Sequence, residues 1–232
     1  MKNKEFPTLG FEEKIKSIKD ELKNYCDDTI KLYRKSRSLL DSYNKEVVEE
    51  ISKTSKQLDI KGYEIERKCI SFLATEQPVA SDLMYIESAI RVISHVKRIA
   101  YLCNNIAEAS KEIKNINSID YELLDNLHYM ADYVQVMITA GFSAFINQDI
   151  NIARELPEDD DKVDDLFDLI LKQVTESIAE KIDFAVAIIN VLFIARYLER
   201  IGDRIVNIGD RVVFINTQKR PDIENLKKED NN

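Results

Sequence analysis

Four oxygen-bearing side chains, Glu199, Asp203, Asn207 and Asp210, follow one another at helical spacing near the end of the chain. At 100° per residue they fall within an arc of about 80°. Arg196 shares that arc one turn earlier, and Arg200 and Arg204 border it. Like charges four residues apart repel one another, and a single arginine relieves only part of that. Two readings follow. The acids can form a solvated face, since they lie opposite the apolar stripe Ile194, Ile201, Ile205, Ile208 and Val212. Alternatively they can ligate a divalent or trivalent cation, because carboxylate and amide oxygens suit hard metals. Asp164 and Asp168, again four apart, supply a second ladder. Two acidic ladders facing each other could hold one cation or several.

A third stripe on the same segment is made of Ala195, Gly202 and Gly209, seven residues apart. Glycine inside a helix costs roughly 0.5–1 kcal/mol relative to alanine, so it needs a packing or site reason. Small residues on one stripe let a neighbouring helix come close, and this close contact is the expectation here.

The elements that must position these residues are helices. Over 232 residues there are only 5 Gly and 4 Pro, which leaves long uninterrupted runs. Apolar spacings of three and four predict helices over about 11–43, 45–75, 82–112, 119–147, 158–181 and 184–216. Pro78 stops the second, and Ser81 is placed to cap the third, with Asp82 in its first turn. Pro157 and the acid run after it are placed just before the fifth. The sequence also repeats. Residues 96–108 align with 198–210 at an offset of 102, and residues 58–66 align with 163–171 at an offset of 105. Three helices repeated in order imply an all-α chain of two tandem, pseudo-symmetric three-helix bundles. Residues 1–116 form the first, 117–218 the second, and 219–232 a polar tail.

Hydrophobic residues make up 44% and charged residues 32%, which is the composition of a folded soluble domain. The net charge of −9 weighs against nucleic acid as a partner. No signal-like apolar core and no run long enough to span a membrane is present, so a cytoplasmic protein is expected. Cys26, Cys69 and Cys103 lack any paired spacing and read as buried, reduced thiols. The 10 Tyr and 9 Phe fall mostly at core spacing. His95 and His128 read as surface or packing residues.

Two sequence blocks, "RYLERIGDRIVNIGD" and "QPVASDLMYIESAIRVISHVKRI", resemble the PhoU family of phosphate-uptake regulators. The resemblance covers about residues 11–216. It implies tandem three-helix bundles, each with an E-x-x-x-D motif that binds metal: iron or zinc in some members, magnesium or manganese in others. It further implies negative control of phosphate import through a high-affinity ABC transporter. The partners it implies are the transporter's ATPase subunit and, in many bacteria, a sensor kinase; a homodimer is also implied. Carried over residue by residue, the second bundle keeps the motif as Glu199, Arg200, Gly202, Asp203, Asn207 and Asp210, with Asp164 and Asp168 on the partner helix. The first does not. Lys97 stands in place of the motif's glutamate and Tyr101 in place of its aspartate, so metal is expected in the second bundle only. Lys97 is free to pair instead with Glu108 or Asp59. Arg196, Arg200 and Arg204 are the expected partner-binding residues, exposed as a basic field once metal neutralises the acids.

A metal-dependent phosphate-ester hydrolase is the alternative, since oxygen-ligand clusters support such hydrolysis. No general base or substrate pocket is visible for it, and no E-x-x-H, H-E-x-x-H or phosphate-cradling glycine loop occurs. The expectation is a regulator, with no catalytic residues.

Overall fold

With so few helix breakers, the chain forms six long α-helices. A computed structural model describes residues 9–113 and 119–219. The helices are α1 (Leu9–Asp41), α2 (Lys45–Glu76), α3 (Ala80–Ala109), α4 (Tyr121–Asn147), α5 (Ile150–Glu180) and α6 (Ala185–Thr217), the last preceded by a 3₁₀ turn at Ile182–Phe184. No strand occurs among the described residues. The boundary region 114–118 and the tail from 220 onward lie outside them. No described helix is long and apolar enough to cross a membrane.

Short polar side chains start three of the helices by accepting orphan backbone N–H groups. Asn44 accepts from Val47, Asp120 from Glu122, and Asp149 from Asn151 and Ile152. Asp149 corrects the expected start of the fifth helix. α5 begins at Ile150, eight residues earlier than expected, and runs straight through Pro157. The strong cap outweighs the proline, whose cost is one missing donor to the carbonyl of Ala153. Ser81 is not a cap either. Val79 holds that position with no side-chain hydrogen bond, and Asp82 lies in the first turn of α3.

Helices α1, α2 and α3 pack on one another, as do α4, α5 and α6. The bundles are joined by α3 against α6 and by α1 against α4. The α1–α4 joint is specific. Buried Tyr33 donates its hydroxyl to the Ala131 carbonyl at 2.7 Å. Arg37 grips Asp132 with two parallel bonds of 2.7 and 3.0 Å, which holds the Asp132 carboxyl below its ordinary value. Tyr85 and Phe145 stack across the bundles at 5.7 Å.

The cysteines are free and buried. Burial pushes each thiol up to about 12, helped by neighbouring carboxylates at Cys26 and Cys69 and opposed by a bond with Ser36 at Cys103, so none is a nucleophile at neutral pH. The aromatic residues divide differently from expectation. Tyr25, Tyr33, Tyr85, Phe72, Phe142 and Phe145 are core, whereas Tyr63, Tyr101, Tyr121, Tyr129, Phe184 and Phe193 are exposed. Helical spacing alone does not distinguish a core face from an apolar surface stripe.

Removing the Tyr33 hydroxyl tests the joint. Tyr33→Phe keeps the packed ring and removes one of the two bonds the Ala131 carbonyl accepts, the other being its own helix's. It should lower unfolding free energy by ~0.5–1.5 kcal/mol, read by urea denaturation.

Candidate metal centre

The two halves of the chain differ in charge. Residues 1–116 carry 21 Lys and Arg against 19 Asp and Glu, and residues 117–232 carry 12 against 23. The need for a counter-cation therefore lies in the second bundle. There α5 and α6 pack with two glycines of α6 against α5, and the two glycines serve different ends.

At Gly209 a Cβ would meet Leu156 Cδ1 at 2.8 Å and the Ala153 carbonyl oxygen at 3.1 Å. That carbonyl is the one Pro157 cannot serve. Gly209 is thus a close backbone approach, as the small-residue stripe predicts. At Gly202 a Cβ would collide with Oδ1 of Asp160, with Val163 next at 3.7 Å. The missing side chain makes room for a carboxylate rather than for a helix.

Asp160 is not among the residues the sequence singles out, although it falls within the helix expected from 158. It stands four before Asp164 and so extends the α5 ladder one turn back. Burial, followed by the charges of Asp164, Asp203 and Glu199, pushes the Asp160 carboxyl up to about 7. Burial and then Asp203 also raise Asp164. Burial raises Glu199 too, against the opposing charge of Arg196. These effects place Asp160, Asp164, Asp203 and Glu199 within one another's field across the α5–α6 contact. Asp168 is exposed and acts on Asp164 from the outer end of the ladder.

The other expected residues are placed as follows. Arg196 pairs with Glu199 at 2.5 Å and lies over the Phe167 ring at 5.5 Å. Arg200 acts on Glu199 from the same side. Asn207 is exposed, and its amide donates to the Asp203 carbonyl at 2.5 Å, a bond within its own helix. Asp210 is half-buried one turn beyond. Arg204 is half-buried, and its charge acts on His95 of α3, across the joint between bundles.

A cation fits the chemistry of this site. Oδ1 of Asp160 and Oε2 of Glu199 are buried without a hydrogen-bond partner, and carboxylate oxygens are hard donors. Among the described residues no three His, Cys, Asp or Glu side chains already enclose a point. The acids form an open ladder, not a closed cage.

In the first bundle the corresponding positions satisfy one another directly. Lys97, equivalent to Glu199, pairs with Asp59, equivalent to Asp164, at 3.1 Å. Glu108, the other candidate partner of Lys97, is engaged by Lys111 instead. Ser55, equivalent to Asp160, donates its hydroxyl to the Ala100 carbonyl at 3.0 Å. Ala100 is the equivalent of Gly202.

An all-helical chain of two three-helix bundles, with an acidic ladder on the outer helix pair of the second, defines a class of tandem-bundle proteins. Residues 22–110 and 127–212 match the PhoU domain, and the chain belongs to the PhoU family. It is 43% identical over 218 residues to a phosphate-specific transport system accessory protein PhoU homolog of Methanothermobacter thermautotrophicus, covering 94% of this chain and 99% of the relative. A Thermotoga maritima homolog is 30% identical over 181 residues, 78% of this chain and 77% of that one. In fold the chain is similar to Pseudomonas aeruginosa PhoU, with a TM-score of 0.85 at 20% identity over 90% of this chain and all of that one. It is likewise similar to the phosphate transport system regulatory protein PhoU of Streptococcus pneumoniae, with a TM-score of 0.82 at 23% identity over 90% and 98%.

Two measurements separate the roles of these residues. Asp160 is protonated more readily in the folded chain than in the unfolded one. The stability tied to that proton is complete only below the ordinary value of 3.8 and is lost progressively as pH rises from there to about 7. Metal-free Asp160→Asn should therefore melt several degrees above wild type at pH 8, with the gap narrowing at pH 5 and closing only below the ordinary carboxylate range, by calorimetry. The contribution of His95 cancels in this comparison. Gly209→Leu should lose ~1–3 kcal/mol with or without metal, whereas Gly202→Ala should chiefly weaken metal binding by displacing Asp160.

Proposed function

We propose that this chain is a metal-binding regulatory accessory protein that restrains inorganic phosphate uptake through a high-affinity phosphate ABC transporter. The observation that supports it most is full-length similarity: 43% identity across 99% of a relative named for a phosphate-specific transport system.

The metal, in this reading, is held in the second bundle by Asp160, Asp164, Glu199 and Asp203, with Asp168, Asn207 and Asp210 at the margins. Bound there, it supplies positive charge to a ladder that is otherwise self-repelling. The chain's own residues do the rest. Gly202 admits the Asp160 carboxylate, Arg196 orients Glu199 from outside, and Phe167 supports Arg196. Neutralising the acids leaves Arg196 and Arg200 as the local field. That change of sign alters affinity for a charged partner surface, with the transporter's ATPase subunit as the proposed partner. An effect of this kind weakens with salt. No catalytic role is assigned to any residue. A sensor kinase as further partner and a homodimeric state belong to the same proposal.

Two experiments test it. Asp203→Ala should lose most of the metal found in wild type by elemental analysis, while Tyr101→Phe should retain all of it; equal metal in wild type and Asp203→Ala refutes the site. A deletion strain should import phosphate without restraint when phosphate is abundant, and the wild-type chain should restore control. Unchanged uptake and transporter expression in the deletion strain refutes the regulatory role.

A further inference from the structure

The groove between α5 and α6 changes character along its length. Three contacts fix the antiparallel register of the two helices: Leu156 against Gly209, Asp160 against Gly202, and Phe167 beneath Arg196. Continued past Phe167, the same register sets Leu171 opposite Leu192 and Thr175 opposite Ile189. There the acids stop and apolar side chains take their place in solvent. Leu171 is 40% exposed, Ile189 38%, Phe193 48% and Val186 64%. On α6, Val186, Ile189 and Phe193 recur at spacings of three and four and so share one stripe. Ile182 and Phe184 of the preceding 3₁₀ turn are exposed as well. Single apolar residues at a surface need no explanation, but a contiguous run of large ones marks an interaction site.

The bundle itself does not need this run. At the repeat offsets, Leu171, Ile189 and Phe193 correspond to Glu66, Glu87 and Arg91 of the first bundle. There Arg91 donates its Nε to Oε1 of Glu87. The same three-helix architecture is thus built with charged residues at these positions in one repeat and apolar residues in the other.

A groove between two antiparallel helices has the shape to take a third, whose ridge of side chains lies along it. Charge selects which helix. The half of the groove beyond Phe167 carries Asp164, Asp168, Asp203 and Glu199, and of these Glu199 is paired with Arg196. A second copy of this chain would set the same acid field against itself, and an anionic lipid surface is repelled likewise. A helix with an apolar stripe and lysines or arginines beside it suits both halves.

We propose that the α5–α6 groove docks a basic amphipathic helix of another protein. Its apolar side chains pack on Leu171, Ile189 and Phe193, and its cations lie toward Asp164 and Asp168. Both halves of the groove belong to the chain itself, so the docking requires no bound metal and holds or fails apart from the regulatory role proposed above.

The test uses the full chain freed of metal with a chelator. The probe is a fluorescent peptide of ~18 residues, about five helical turns, with leucine on one face and lysine on the other. A peptide with glutamate in place of lysine and a scrambled leucine–lysine peptide are its controls. Fluorescence anisotropy at low salt should show one leucine–lysine peptide bound saturably per chain, at least tenfold tighter than either control and weakening as salt rises. Ile189→Glu combined with Phe193→Arg installs the pair that the first bundle carries. This variant should bind at least tenfold more weakly while melting no lower than wild type, and Leu171→Gln is the second variant should it fail to fold. Asp164→Asn combined with Asp168→Asn should weaken binding severalfold and flatten its salt dependence. Ile60→Lys, at an exposed apolar residue of the first bundle, should change nothing. The proposal is overturned if the scrambled peptide binds as tightly as the amphipathic one, or if affinity is unchanged in a folded groove variant. It is equally overturned if ultracentrifugation finds the wild-type chain dimeric and the Ile189→Glu, Phe193→Arg variant monomeric, since a second copy then holds the face.

Discussion

Repulsion among carboxylates across the α5–α6 contact is the constraint to which the second bundle is built. Two helices can pack closely only if what lies between them is small, apolar or neutralised. Here Asp160, Asp164, Asp203 and Glu199 share one field, and partial burial keeps from Asp160 and Glu199 much of the water that would screen it. Gly202 makes the crowding possible by leaving room for Asp160. Arg196 offsets a part of it through Glu199. What remains favours either a proton on Asp160 or a cation among the oxygens. The site's sensitivity to pH and its capacity for metal have one electrostatic origin.

The first bundle shows that this constraint belongs to the chemistry and not to the fold. The same three helices pack in the same order, with Ala100 where Gly202 stands and Ser55 where Asp160 stands. The polar groups there satisfy one another locally: Ser55 bonds the Ala100 carbonyl and Lys97 meets Asp59. Repeats of one architecture have diverged to opposite solutions, and the charge difference between the two halves of the chain follows from it.

Much of this was legible in the sequence, for identifiable reasons. Six helices followed from apolar periodicity and scarce breakers, because helices of 27 to 33 residues average over local exceptions. The pairing of Lys97 with Asp59 followed from the repeat, since aligned positions on equivalent helices face equivalent neighbours. Asp160 escapes because it stands in a run of four acids, 158–161, and spacing alone does not show which of them Gly202 makes room for. Arg204 shows a different limit. A helical wheel gives angles on one helix but says nothing about which neighbour lies beside a given arc, and the reach of its charge to His95 of α3 is visible only in the packed structure. Asn207 shares an arc with the acids, yet its amide is spent on its own backbone, a choice of rotamer that spacing cannot reveal.

The Lys97–Asp59 pair has a consequence for how the two repeats experience their surroundings. An ammonium fixed to the backbone cannot be chelated, diluted or exchanged; its local concentration is set by covalent geometry. If the second repeat takes up metal as proposed, the first keeps the same charge whether metal is scarce or abundant while the second follows supply. One chain would then carry a constant reference and a variable arm side by side, and a partner touching both would register their difference rather than the absolute charge of either.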